Sequence, residues 1–209
     1  MAEIIKGSFP KPRKPRVTAC KPATPVAAYQ LKVTLSHCKP PIWRRVLVPA
    51  HFSLAKLHDV LQVCMGWTDT HLHQFVIGKA YYGRPDFDDG WGDTKTLDER
   101  RHKLGDLGLA VGSNFSYEYD FGDGWEHKIK VEKIVAPIEN PPKHPVLLAG
   151  KGACPPEDVG GPYGYMDFLE AIGDPEHEEH ESMLEWLGGE FDPEFFDLDE
   201  INGILKKMK

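Results

Sequence analysis

The chain is poor in cysteine, and the four it has (Cys20, Cys38, Cys64 and Cys154) stand far apart with no Cys-x-x-Cys pair. That spacing argues against a disulfide framework or a four-cysteine zinc site and fits a reducing compartment, so the expected location is the cytoplasm. No apolar run approaches the roughly 18 residues of a membrane span, and the opening MAEIIKGSFPKPRKPR lacks the apolar centre of a secretory signal. No membrane partner is therefore expected. Lys and Arg are missing from Gly152 to Leu205, a stretch that holds 16 of the 32 acidic residues. Such a surface repels a phosphate backbone and excludes nonspecific nucleic-acid binding by that stretch. Neither a Gly-x-x-x-x-Gly-Lys-Ser/Thr loop, a Gly-x-Gly-x-x-Gly turn nor a Gly-x-Ser-x-Gly elbow occurs, and no Cys–His nucleophile pair stands out.

What is there reads as one folded α+β unit behind a basic leader. With 209 residues, 41% hydrophobic and 27% charged, the chain can bury a real core. Residues 1–27 form the expected leader: residues 1–25 hold Lys6, Lys11, Arg13, Lys14, Arg16 and Lys21 against the single acid Glu3, with five prolines, so this segment is read as extended and disordered. Residues 28–205 are the expected domain, divided into a sheet part (28–136), a proline-rich connection (137–150) and an acidic helical part (151–205). Tyr29, Leu31, Val33 and Leu35 alternate as a strand should, and so does the run from Ile42 to Val48. Leu57, Val60, Leu61 and Cys64 recur at helical spacing between Ser53, a natural N-cap, and Gly66, a natural C-terminal stop, which predicts a helix over 54–65. The tract His71–Ile77 is a further predicted strand.

The strongest pattern is NFSYEYDFGDGWEHKIKV, residues 114–131. Tyr117, Tyr119 and Phe121 alternate with polar residues on one strand, and Trp125, His127, Ile129 and Val131 on the next. A three-residue loop, Gly122-Asp123-Gly124, puts both apolar rows on one face and predicts His127 opposite Tyr119. The expected architecture is thus an antiparallel or mixed sheet of five to six strands, one helix packed across it, and an acidic helical C-terminal extension.

Several longer motifs, in order, carry a resemblance: WRRVLVP (43–49), LHDVLQVCMGW (57–67), HLHQF (71–75), LDERR (97–101), YDFGDGWEH (119–127) and CPPEDVGGPYGY (154–165). Together with the closing HEEHESMLEWLGGEFDPEFFDLDEIN, they resemble the plasmid pRiA4b ORF-3-like family, some of whose members are labelled TnpR passenger proteins of insertion elements. The resemblance spans about Tyr29 to Leu205 and implies a compact α+β domain associated with mobile elements; it brings no established activity. Family members often read CPPEDCGG, whereas Val159 stands here, so a thiol role at that position is missing. The TnpR label suggests a resolvase, yet neither the Tyr-x-Arg-x-Ser start of serine recombinases nor the Arg…His-x-x-Arg…Tyr set of tyrosine recombinases is present.

Four constellations could carry chemistry. His71-Leu72-His73 resembles a metal-binding His-x-His pair, with Asp120, Asp123, His127, Glu157 or Asp158 as further ligands for a divalent ion. The competing reading packs both imidazoles on the sheet edge. Asp120, Asp123 and His127 place acids and an imidazole within a few residues, as acid–base catalysis requires, although Asp-Gly is also ordinary turn chemistry. Asp86, Asp88, Asp89 and Asp93 fail the EF-hand pattern, because Trp91 stands where its glycine belongs. The segment 157–165 resembles an anion cradle at a helix start, but Glu157 and Asp158 oppose an anion and Pro162 removes a donor. Trp67, Tyr81, Tyr82, Trp91 and Tyr163 are candidates for a partner-binding surface, or else for the core. The first functional reading is a non-catalytic interaction module that binds a protein or nucleoprotein. The alternatives are a metal-dependent hydrolase using His71, His73 and the hairpin acids, and DNA association through residues 1–25 alone.

Overall fold

The computed structural model describes residues 27–85, 95–137 and 142–208. The leader 1–25, the acidic tract from Asp86 to Asp93 and the partner-surface candidate Trp91 lie outside the described residues. The strands are β1 (Ala28–Leu35), β2 (Trp43–Pro49), β3 (His73–Ile77), β4 (Ala80–Gly83), β5 (Thr96–Asp98), β6 (Asn114–Tyr119), β7 (Trp125–Val135) and β8 (Val146–Lys151). The helices are α1 (Leu54–Met65), α2 (Gly161–Gly173), α3 (His180–Leu187) and α4 (Leu198–Leu205). All eight strands join one sheet in the order β5-β4-β3-β6-β7-β1-β2-β8, and every pairing is antiparallel except β4 with β5. No helix among the described residues is long and apolar enough to cross a membrane.

The expected five to six strands and one helix are corrected to an eight-stranded mixed sheet with four helices. Two strands escaped the sequence pattern for a physical reason. Strand β5 has three residues, too few to show alternation, and exists because β4 offers it a parallel partner. Strand β8 follows a proline cluster inside the expected connection and is an edge strand whose irregular burial hides its period. Three of the four helices belong to the C-terminal part, where α4 packs on β8 and α1.

Helix α1 forms where its pattern places it. The Ser53 side chain accepts a hydrogen bond from the Lys56 N–H at 3.3 Å, and Gly66, at φ 109°, returns its N–H to the Gln62 carbonyl. A side chain in that left-handed conformation would be strained, which is why glycine ends the helix. Leu57, Val60, Leu61 and Cys64 are buried against the sheet, each leucine contributing roughly 1.5–3 kcal/mol of hydrophobic stabilisation.

The β6–β7 hairpin keeps the expected parity but not the expected register. Tyr117 pairs with His127 and Tyr119 with Trp125, so the connection runs from Asp120 to Gly124 and not from Gly122. Both loops are odd, so both put the aromatic rows on one face, and Tyr117, Tyr119, Trp125 and His127 are all fully buried. Asp120 ends the strand early. It adopts φ 55°, and its side chain accepts from the Gly122 N–H at 2.9 Å. Phe121, expected in the aromatic row, is turned out and 55% exposed.

Candidate metal centre

The site grows from three turns that meet at one end of the sheet: the α1–β3 connection, the β6–β7 connection and the loop leading into α2. Trp67 opens the first. Its indole N–H donates to the Pro155 carbonyl at 3.0 Å, and its ring stacks on Tyr119 at 5.0 Å, pinning the first and third turns together. Across the second contact, the Gly160 N–H donates to Asp123 at 3.2 Å. A Cβ on Gly161 would lie 2.2 Å from the Asp123 carbonyl oxygen, so the backbones touch there only because the residue is glycine.

These contacts bring His71 among three carboxylates. Its Nδ1 lies 3.6 Å from Asp120, and its Nε2 lies 3.2 Å from Asp158 and 3.7 Å from Glu157. Glu157 is held in place by its other oxygen, which accepts from the Thr68 N–H at 2.9 Å and from the Tyr119 hydroxyl at 3.2 Å. The second oxygen, 3.4 Å from the same hydroxyl, faces His71. Asp120 is buried, His71 half-buried and Asp158 exposed, so the cluster opens to solvent on one side. His71 Nε2 is itself buried and has no aligned hydrogen-bond partner, although carboxylate oxygens surround it.

His73 does not join this group. The strand begins at His73, and the Leu72 carbonyl accepts from the Asp120 N–H at 2.8 Å, so His71 lies in the turn and not on the strand face. His73 points into the core, where its Nε2 donates to Glu99 at 2.8 Å with both side chains almost fully buried. Its ring stacks on His58 with centroids 3.5 Å apart and planes 5° from parallel. The His58 Nε2 donates to Asp69 at 2.8 Å, and its Nδ1 meets the Tyr117 hydroxyl at 2.7 Å. Burial, then the neighbouring His73, lowers the His58 pKa to about 4, so His58 is neutral at neutral pH. The ligand atoms of His58, Asp69 and His73 lie close enough for an ion. Imidazole lone pairs lie in the ring plane, however, and two parallel stacked rings cannot aim them at one point. This second cluster is a hydrogen-bonded buried pair.

The remaining candidates separate cleanly. His127 is wholly buried, its Nδ1–H donates to the Tyr117 carbonyl at 3.2 Å, and burial lowers its pKa to about 4. Asp123 docks the turn before α2 onto the hairpin. Trp67 and Tyr82 are buried and Tyr81 half-buried, while Tyr163 is 84% exposed. His58, Asp69 and Glu99 were not singled out from sequence. A signal existed for the first: His58 and Gln62 are polar residues four apart on the face of α1 that otherwise packs Leu57 and Leu61 inward.

Comparison with known proteins gives the same outline. Residues 27–200 match the family described as plasmid pRiA4b ORF-3-like protein. The uncharacterized protein y4hQ of Sinorhizobium fredii is 45% identical over 181 residues, which cover 86% of this chain and 91% of that protein. A crystal structure of a Methanosarcina mazei Go1 protein of unknown function, MM3350, superposes with a TM-score of 0.73 at 38% identity, over 83% of this chain and 96% of the other. On both counts the chain belongs to the plasmid pRiA4b ORF-3-like family.

Proposed function

We propose that the protein binds a divalent metal ion through His71 Nε2, Asp158 and Glu157, with Asp120 facing Nδ1 on the other side of the ring and orienting it, and that the ion activates water for hydrolysis. The observation that carries this reading is the state of His71 Nε2: buried, beside carboxylate oxygens at 3.2 and 3.7 Å, and without an aligned hydrogen bond. Ligand bonds of about 2 Å at tetrahedral or octahedral angles set neighbouring donor atoms roughly 3–3.5 Å apart, close to these separations. One nitrogen with several carboxylate oxygens suits zinc or manganese, and the solvent-facing side leaves a position for water, whose pKa the ion lowers. Isothermal titration of the purified, metal-stripped protein with Zn²⁺ and Mn²⁺ tests this. Near-stoichiometric binding that weakens at least about tenfold in His71→Ala and in Asp158→Asn is the expected result. Binding unchanged in both variants, or no binding up to millimolar ion, refutes it.

A non-catalytic interaction module is the second reading. It is supported by exposed apolar residues close in sequence to the cluster: Leu72, Phe121 and Tyr163 are 37, 55 and 84% exposed. Triple substitution to Ser leaves metal binding intact and abolishes partner capture if this reading holds.

A further inference from the structure

A groove of about 480 Å³ adjoins the cluster, and Asp158 lines both. The groove and the cluster are thus contiguous through Asp158. Its walls come from α2 and α3: Phe168 is buried, Met183 is half-buried, and Trp186 is 49% exposed with its ring edge-on to Phe168 at 6.1 Å. Asp167 and Glu179 stand on the same walls. Neither carboxylate has an ion-pair or hydrogen-bond partner among the described residues, and the chain supplies no Lys or Arg from 152 to 205 to neutralise them. Two unpaired acids above an apolar floor, beside a half-exposed indole, make a receptor for a cation on an apolar stem. The same charges repel phosphate, so nucleotides and phosphoesters are poor substrates for this entrance.

We infer that the groove between α2 and α3 receives a lysine or arginine side chain of a peptide, placing the adjacent backbone at the His71 cluster. The aliphatic stem lies along Phe168 and Met183, and the charged end meets Asp167, Glu179 and the Trp186 ring. As a substrate subsite this rests on the hydrolytic metal reading; as a cation-binding groove it does not, since none of Asp167, Glu179 and Trp186 belongs to the metal cluster.

The test titrates metal-stripped and metal-loaded protein with Nα-acetyl-lysine amide and with Nα-acetyl-norleucine amide, its neutral analogue with the same four-carbon stem and no ammonium, following tryptophan fluorescence and, independently, ligand-observed NMR. The lysine amide binds at least about tenfold more tightly than the norleucine amide, because two weak surface pairs and one cation–π contact add. The preference falls with added salt. Asp167→Asn/Glu179→Gln removes it while leaving metal affinity unchanged, and Trp186→Leu weakens the lysine amide more than the norleucine amide. In His71→Ala, groove binding persists even if metal binding is lost, so the two readings fail separately. Equal affinity for the two amides, or a preference that survives the double substitution, overturns the inference.

Discussion

Replacing His127 by phenylalanine isolates what one buried imidazole contributes to the acid sensitivity of the fold. His127 is fully buried on the aromatic face of β7, and burial lowers its pKa from 6.5 to about 4, with the hydrogen bonds to Tyr117 and Trp125 opposing. The unfolded chain therefore binds a proton between pH 6.5 and 4 that the native state refuses, so stability falls as pH falls through that window. With these two values the loss is negligible at pH 7 and about 2 kcal/mol at pH 5. Phenylalanine keeps the ring volume and removes the titration. It also deletes the bond to the Tyr117 carbonyl, a constant cost of about 1 kcal/mol that does not change with pH. Urea unfolding of both proteins at pH 7 and pH 5 reads the difference directly. His58 titrates in the same window in both proteins and cancels. The stability gap between wild type and variant narrows, or reverses, by about 2 kcal/mol on acidification. Equal pH slopes for the two proteins would refute the reasoning, because His127 would then be as easily protonated folded as unfolded.

Two further substitutions probe what aligns the site. Gly161→Ala places a Cβ 2.2 Å from the Asp123 carbonyl oxygen at φ +71°; strain and overpacking cost about 3 kcal/mol, seen as a melting temperature roughly 6–12 °C lower. Glu99→Ala leaves the buried His73 nitrogen without its 2.8 Å partner and destabilises by about 3 kcal/mol in urea, whereas Glu99→Gln, whose carbonyl oxygen accepts the same bond, recovers most of it. A loss below about 0.5 kcal/mol in the alanine variant would show that the pair is not structural.

The elements legible in the sequence are those whose physics is local. Helix α1 announces itself through an apolar stripe bounded by Ser53 and Gly66, and the hairpin through strict alternation, because both signals repeat within the element. Strands β5 and β8 are not legible, since an edge strand of a few residues is defined by the neighbour it pairs with and not by its own period. The site divides the same way. Asp120, Glu157, Asp158 and His71 are recognisable as ligand types, but the two-residue spacing of His71 and His73 points to a shared face only if both lie on one strand. The strand starts at His73, so the pair splits, one imidazole to the solvent-facing cluster and the other to the stack with His58. His127 goes to the core because the alternation that makes the hairpin leaves it no other side.

The two clusters are joined by backbone conformation more than by side-chain contact. Four non-glycine residues adopt positive φ among the described residues: His37, Asp69, Asp120 and Asp158. Each of the three aspartates faces an imidazole of one of the two clusters. Aspartate tolerates the left-handed region better than most residues because its short carboxylate bonds nearby backbone N–H groups, and Asp120 does so with Gly122. Turn formation alone does not demand a carboxylate, however: glycine would be less strained and asparagine would bond equally well. Each of these turns instead carries a charged oxygen toward an imidazole, Asp69 to His58 at 2.8 Å and Asp120 and Asp158 to His71 at 3.6 and 3.2 Å. A requirement for negative charge beside His71, added to a requirement for a tight turn, accounts for aspartate at positions 120 and 158, whereas at Asp69, beside a neutral imidazole, the turn and one acceptor oxygen suffice.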